Sequence, residues 1–138
     1  MLSSSANYEV TLYDSNQDCL RQAPELIRKD LEELCAKNLA RGTLTLDERL
    51  KLISTSDSLQ NCLKDACHVQ ECVFDSLPLK QDLFERIDQL IAPGNINAAI
   101  CSSTSIHMPS LFSRVTKHKS QCLVAHPINA PITSSWSS

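Results

Sequence analysis

The stretch YEVTLYDSN, residues 8–16, decides the fold class because its pattern changes from strand-like to helix-like. β-Prone side chains alternate over residues 8–13, and polar residues of the helix-capping type follow at 14–16. From Asp18 to Leu39, apolar residues recur every three or four positions, which predicts an amphipathic helix after the strand. Pro24 interrupts that pattern, so we expect one bent helix or two helical pieces.

Strand and helix patterns continue to alternate along the chain. Because strands that are joined through helices pair in parallel with right-handed crossovers, this order predicts an α/β fold with a doubly wound parallel sheet. The further predicted strands are 53–55, 68–73, 98–101 and 121–125, and the further predicted helices are 45–52, 57–66, 78–91 and 109–115.

Composition limits the classes of function. The chain has 138 residues, 42% of them hydrophobic, which suits one compact domain. Its formal net charge of -3 argues against a nucleic-acid partner, and no apolar run is long enough for a membrane helix. The Ser-rich start lacks the pattern of a secretory signal, and seven is an odd number of cysteines. We therefore expect a cytoplasmic chain with buried free thiols rather than a disulfide framework.

Polar residues follow four of the predicted strands. Ligands of open parallel sheets bind at the carboxyl ends of the strands, so these residues are candidates for a shared site. They are Asp14, Asp75 with Lys80, the Ser102-Ser103-Thr104-Ser105 run, and His126 with Asn129.

Each candidate also has a purely structural interpretation. Asp14 is placed either to bind both ribose hydroxyls of an adenosine or to cap the next helix, and the two roles are compatible. The hydroxyl-rich run is either an ordinary loop or a holder for a carbonyl or amide group. His126 is either structural or a base for a hydroxyl proton. Cys62, Cys67, His68 and Cys72 lack the CxxC spacing of a zinc site, so no metal is predicted.

The ordered motifs at 10–14, 68–73, 102–105 and 124–131 resemble the 3-hydroxyacyl-CoA dehydrogenase family. The similarity runs from about residue 8 to residue 131, and the set is more specific than any single motif. It implies a Rossmann-like NAD-binding domain of an oxidoreductase that acts on a small 3-hydroxy acid. The implied contacts are Asp14 to the adenosine ribose, Asp75 and Lys80 to the cofactor, Ser105 to nicotinamide and substrate, His126 as catalytic acid/base, and Asn129 near the nicotinamide.

The chain departs from the family pattern at both ends. Family members begin with a strand and a GxGxxG loop, whereas the only glycines here are Gly42 and Gly94. The missing strand is central in the family sheet, so we expect open edges on the strands beside it. The family also continues past its His-Pro motif into a strand whose glutamate orients the histidine, and then into a helical domain for substrate binding and dimerisation. Residues 132–138 stand there instead, and with residues 1–7 we expect them to be disordered.

Two alternatives remain beside a truncated NAD-dependent dehydrogenase with impaired or no activity. One is a 3-hydroxyacyl-CoA dehydrogenase, and the other is a non-catalytic protein that keeps the fold for structural or partner-binding purposes. Ser103 stands where hydroxyacyl-CoA enzymes usually have asparagine, which favours the crystallin branch of the family.

Overall fold

A computed structural model describes residues 7–91 and 98–126 of the chain. Contacts divide the chain into two compact units, Met1–Cys62 and Leu63–Ser138. The strands are β1 (Val10–Tyr13), β2 (Ile53–Ser56), β3 (His68–Glu71), β4 (Ala99–Ser102) and β5 (Cys122–Val124). The helices are α1 (Gln17–Ala36), α2 (Leu46–Lys51), α3 (Leu59–Leu63), α4 (Leu77–Ile91) and α5 (Pro109–Phe112), with a 3₁₀ turn at Lys119–Gln121.

In the first unit, β1 and β2 pair in parallel, and α1 follows β1. The side chain of Asn16 caps α1 by accepting hydrogen bonds from the amides of the second and third helical residues, at 2.9 and 3.4 Å. The helix continues through Pro24 as a single element, which is the one-helix alternative of the two that the sequence left open. Leu20 and Leu31, three turns apart, form its buried face.

A capping box formed by Thr45 and Glu48 starts α2, at the N-terminal end of the helix predicted at 45–52. The Thr45 hydroxyl accepts the Glu48 amide, and the Glu48 carboxylate accepts the Thr45 amide at 2.8 Å. Arg49 is buried, and its guanidinium donates to the carbonyls of Leu44 and Arg41 at 3.0 and 2.6 Å. These bonds fix the loop that leads into the helix.

In the second unit, β3, β4 and β5 form a parallel sheet in that order. Phe84 of α4 and Phe112 of α5 are fully buried, with ring centroids 4.5 Å apart. Ile100 of β4 is also fully buried, as expected of the middle strand of the sheet. The helix predicted at 78–91 is confirmed by α4, which has Pro78 in its first turn.

Every strand pairing in residues 7–91 and 98–126 is parallel, which confirms the predicted α/β fold with a parallel sheet. In the same residues, β1 and β3 each have a hydrogen-bonded strand on one side only, in agreement with the open edges that we expected. All seven cysteines are free thiols, as predicted, but burial holds fully only for Cys101 and Cys122. No helix of the described part is long and apolar enough to cross a membrane.

Candidate functional site at the carboxyl ends of β3, β4 and β5

The second unit gathers three of the predicted residues at one edge of its sheet. Asp75 follows β3, Ser105 follows β4 and His126 follows β5. The parallel ladder continues past the strand ends, since the Ser103 amide donates to the Glu71 carbonyl at 2.8 Å and the Ala125 amide to the Ser102 carbonyl at 2.9 Å. The loops that carry these residues therefore leave the sheet side by side.

The imidazole of His126 is exposed, and its Nδ1 lies 2.9 Å from the backbone carbonyl oxygen of Ser103. A carbonyl oxygen only accepts hydrogen bonds, so Nδ1 must carry the proton. In the neutral ring the lone pair is then on Nε2. This is the tautomer that a proton acceptor needs, and here a backbone carbonyl selects it.

The turn after β4 is held by its own hydroxyl groups. The Ser102 hydroxyl accepts the Thr104 amide at 3.2 Å, and the Thr104 hydroxyl accepts the amides of Ile106 and His107 at 3.3 and 3.2 Å. Ser102 and Thr104 are buried, whereas Ser105 is exposed. The buried hydroxyls thus shape the turn and leave Ser105 at the surface.

Asp75 is a partly exposed carboxylate in an electropositive setting. The Thr104 hydroxyl holds the pKa of Asp75 below its ordinary value of 3.8, and Lys80 and the His107 ring add to this against the opposing effect of desolvation. The Lys80 ammonium lies 3.4 Å from Oδ1 of Asp75. Asp75 is therefore an anion at neutral pH and an acceptor for hydroxyl groups.

A buried ion pair beneath this edge escaped the sequence analysis. The Lys80 ammonium donates to both oxygens of Glu71 at 3.0 and 3.1 Å, and the two side chains are 1% and 0% exposed. Glu71 also accepts the Val73 amide at 2.5 Å and the Ser102 hydroxyl, while Lys80 donates to the Val73 carbonyl at 3.2 Å. The only sequence signal was an acidic residue in a strand with a lysine nine positions later.

Asp14 lies in the first unit, at the end of β1. Its Oδ1 accepts the amide of Asn16 at 2.8 Å, which forms an Asx turn just before α1. Asn16, not Asp14, is the residue that caps the helix. Asp14 is exposed, so the carboxylate faces solvent at the turn between strand and helix.

Two further expectations concern the predicted cofactor contact of Asn129 and a metal site. Asn129 lies outside the described residues. Within residues 7–91 and 98–126, no group of three or more His, Cys, Asp and Glu side chains is arranged to hold a metal ion.

Comparison with known proteins identifies the family. The sequence profile of the 3-hydroxyacyl-CoA dehydrogenase NAD-binding domain matches residues 1–135. The chain belongs to the 3-hydroxyacyl-CoA dehydrogenase family. It is 39% identical over 131 residues to a human lambda-crystallin homolog, and 33% identical over 124 residues to the L-carnitine dehydrogenase of Streptomyces coelicolor.

This chain shares its fold with the solved structure of M. tuberculosis FadB2, with a TM-score of 0.81 at 24% identity. That match covers 93% of this chain and 44% of FadB2. The matches to the two sequence relatives cover 95% and 90% of this chain, but only 40% and 36% of the relatives. The chain therefore spans about 40% of the length of these dehydrogenase-family relatives, and the part it spans is the NAD-binding domain.

Proposed function

We propose that this chain is the NAD-binding domain of a dehydrogenase that oxidises a small L-3-hydroxy acid, with His126 as the base. The hydrogen bond from Nδ1 of His126 to the Ser103 carbonyl is the observation that carries the proposal, because it leaves Nε2 as the acceptor. Nε2 takes the proton of the substrate hydroxyl. NAD, when bound, supplies the acceptor for the hydride that leaves the same carbon.

The residues of the second unit fit the nicotinamide half of the cofactor. We assign to Ser105 a hydrogen bond to nicotinamide and substrate, since its hydroxyl stands exposed at the turn beside His126. Asp75 is assigned to cofactor hydroxyl groups as an anionic acceptor, with the Lys80 ammonium 3.4 Å away. The contact of Lys80 itself with the cofactor stays a prediction from the family resemblance, since its side chain is 1% exposed and pairs with Glu71. Asn129 is assigned to the nicotinamide by family resemblance alone.

Asp14 is assigned to the adenosine ribose. Its Oδ1 already accepts the Asn16 amide, which aims the carboxylate from a fixed turn, and the remaining lone pairs are suited to two ribose hydroxyls. The Asx turn and the ribose contact are compatible in this geometry.

Among 3-hydroxy acids, we propose L-gulonate rather than an acyl-CoA thioester as the substrate. This choice follows from the resemblance to the crystallin branch of the family, which implies an L-gulonate 3-dehydrogenase. The similarity to a lambda-crystallin homolog, and to an enzyme named for L-carnitine, itself a 3-hydroxy acid, supports a small hydroxy acid. The seven free thiols fit a reducing, cytoplasmic setting.

Calorimetric titration with NAD tests the cofactor assignment. Asp14→Asn is the informative variant because the amide oxygen still accepts the Asn16 amide, so the turn survives while the charge is lost. Hydrogen bonds to a charged group contribute about 1.5–3 kcal/mol, so we expect NAD affinity to fall by about 10- to 100-fold. Asp30→Asn, which changes an exposed aspartate within α1 and away from the strand ends, is the matched control and should bind NAD as the wild type does.

NADH formation tests the reaction. L-gulonate, L-carnitine and a 3-hydroxyacyl-CoA are offered in turn, and His126→Gln should lower any turnover by at least about 100-fold. NAD affinity that Asp14→Asn leaves unchanged would contradict the ribose contact. Wild-type protein that binds no NAD and forms no NADH from any of the three would favour the non-catalytic alternative.

A further inference from the structure

Gln70 of β3 makes two hydrogen bonds that reach the loops of the candidate site. Its Nε2 donates to the Ser103 hydroxyl at 2.7 Å and to the Ala125 carbonyl at 3.2 Å. The Ala125 oxygen can only accept, which fixes the orientation of the side-chain amide. Its Oε1 lies 3.3 Å from Nε2 of His68, two residues away on the same strand.

These two hydrogen bonds join the two residues that place His126, namely Ala125 and Ser103. The first lies directly before His126, and the second has the carbonyl that accepts Nδ1 of His126 at 2.9 Å. A single carboxamide thus connects the residue directly before His126 with the residue whose carbonyl selects the His126 tautomer. We propose that Gln70 is a positioning residue for His126, which it holds with Nδ1 protonated and Nε2 as the acceptor.

A structural role in holding the sheet together does not account for these bonds. The ladder already joins β4 to β5 past the strand ends, through the Ala125 amide and the Ser102 carbonyl at 2.9 Å. Gln70 is an exposed residue, so its loss costs little in burial. What its loss removes is the constraint on the relative position of Ser103 and Ala125.

The proposal rests on the proposed function in one respect, since positioning matters for turnover only if Nε2 accepts the substrate proton. Misplacement of a catalytic group by about 1 Å can cost about 100-fold in rate. Cofactor contacts are made by other residues, so the effect belongs in kcat rather than in the KM for NAD.

The test compares Gln70→Met and Gln70→Glu with Gln81→Met, all in the full chain. Methionine keeps the length of the side chain without a donor, and glutamate keeps its shape but presents a carboxylate to the Ala125 carbonyl. Gln81→Met is the matched control because Gln81 donates to the Leu111 carbonyl at 2.8 Å, a bond of the same kind elsewhere in the second unit. Two-bond ¹H–¹⁵N spectra of the imidazole rings report the tautomer of His126, and thermal unfolding reports stability.

In both Gln70 variants we expect the Nδ1-protonated population of His126 to fall and kcat to drop about 10-fold or more. The KM for NAD should change less than about twofold, and the unfolding midpoint should stay close to that of Gln81→Met. An unchanged His126 tautomer in Gln70→Met overturns the proposal, as does an equal loss of kcat in Gln81→Met. Wild-type protein without NADH formation defeats the proposed function alone, because the tautomer then still decides whether Gln70 positions His126.

Discussion

The Glu71–Lys80 ion pair is almost completely buried beneath the candidate site. Its removal should therefore change the stability of this edge of the sheet. Lys80→Met leaves the Glu71 carboxylate buried, and among residues 7–91 and 98–126 its remaining donors are the Val73 amide and the Ser102 hydroxyl. Loss of one partner of a buried pair typically costs about 3–5 kcal/mol. For a chain of this length we expect that cost to lower the unfolding midpoint by roughly 10–20 °C.

The double variant Glu71→Gln/Lys80→Met separates the stabilisation by the ion pair from the free-energy cost of leaving the Glu71 carboxylate buried without a partner. A neutral amide still accepts from the Val73 amide and the Ser102 hydroxyl, so most of the stability should return, to within about 2 kcal/mol of wild type. Urea unfolding followed by circular dichroism gives the free energies, and Arg86→Met, which breaks an exposed pair in α4, should unfold like the wild type. The reasoning is refuted if Lys80→Met costs less than about 1 kcal/mol, or if the double variant loses the sum of the single losses.

Two further changes test interactions away from the site. Burial alone would raise the pKa of Asp88, but hydrogen bonds from the amides of Lys117 and His118 and from the His118 ring outweigh it and lower that pKa below 3.8. The stability from these bonds is present above the unfolded pKa and is lost as pH falls through the lower folded pKa. Asp88→Asn should therefore reduce the decrease of the urea unfolding midpoint at acid pH, when midpoints are measured from about pH 2 to 7. The same decrease in the variant and the wild type would count against this account. Asn16→Ala removes the cap of α1 and should cost about 1 kcal/mol, whereas Asn16→Asp keeps an acceptor and should recover it; equal losses in both variants would show that the cap bond is not the cause.

Local pattern was sufficient for the elements and for the edge on which the site lies. Alternation predicted β1, and a short apolar run predicted β4, each to within two residues. Parallel pairing puts the segments that follow β3, β4 and β5 at one edge, because strands that run the same way end at the same edge. The sequence left open whether Pro24 divides the helix, and the helix extends through the proline as one element.

The contacts within the site depend on side chains that meet only after the sheet has formed. Glu71 and Lys80 belong to a strand and a helix separated by a turn, and nothing in their spacing shows that both become buried. Gln70 reaches Ala125 across 55 residues of sequence, beyond the range of any periodic signal. The tautomer of His126 is likewise set by a backbone carbonyl, which no residue type encodes.

Strand geometry explains how so few residues define the turn after β4. Neighbouring residues of a strand point to opposite faces of the sheet, so Gln70 and Glu71 bond on opposite sides of the same ladder. Glu71 accepts the Ser102 hydroxyl on the face that packs with Lys80, and Gln70 donates to the Ser103 hydroxyl on the other. The turn is therefore fixed at Ser102 from one face and at Ser103, whose carbonyl accepts Nδ1 of His126, from the other. Two adjacent residues of β3 thus hold the turn, Glu71 from the buried face and Gln70 from the exposed face. Gln70 bonds to Ser103, whose carbonyl in turn accepts the imidazole of His126.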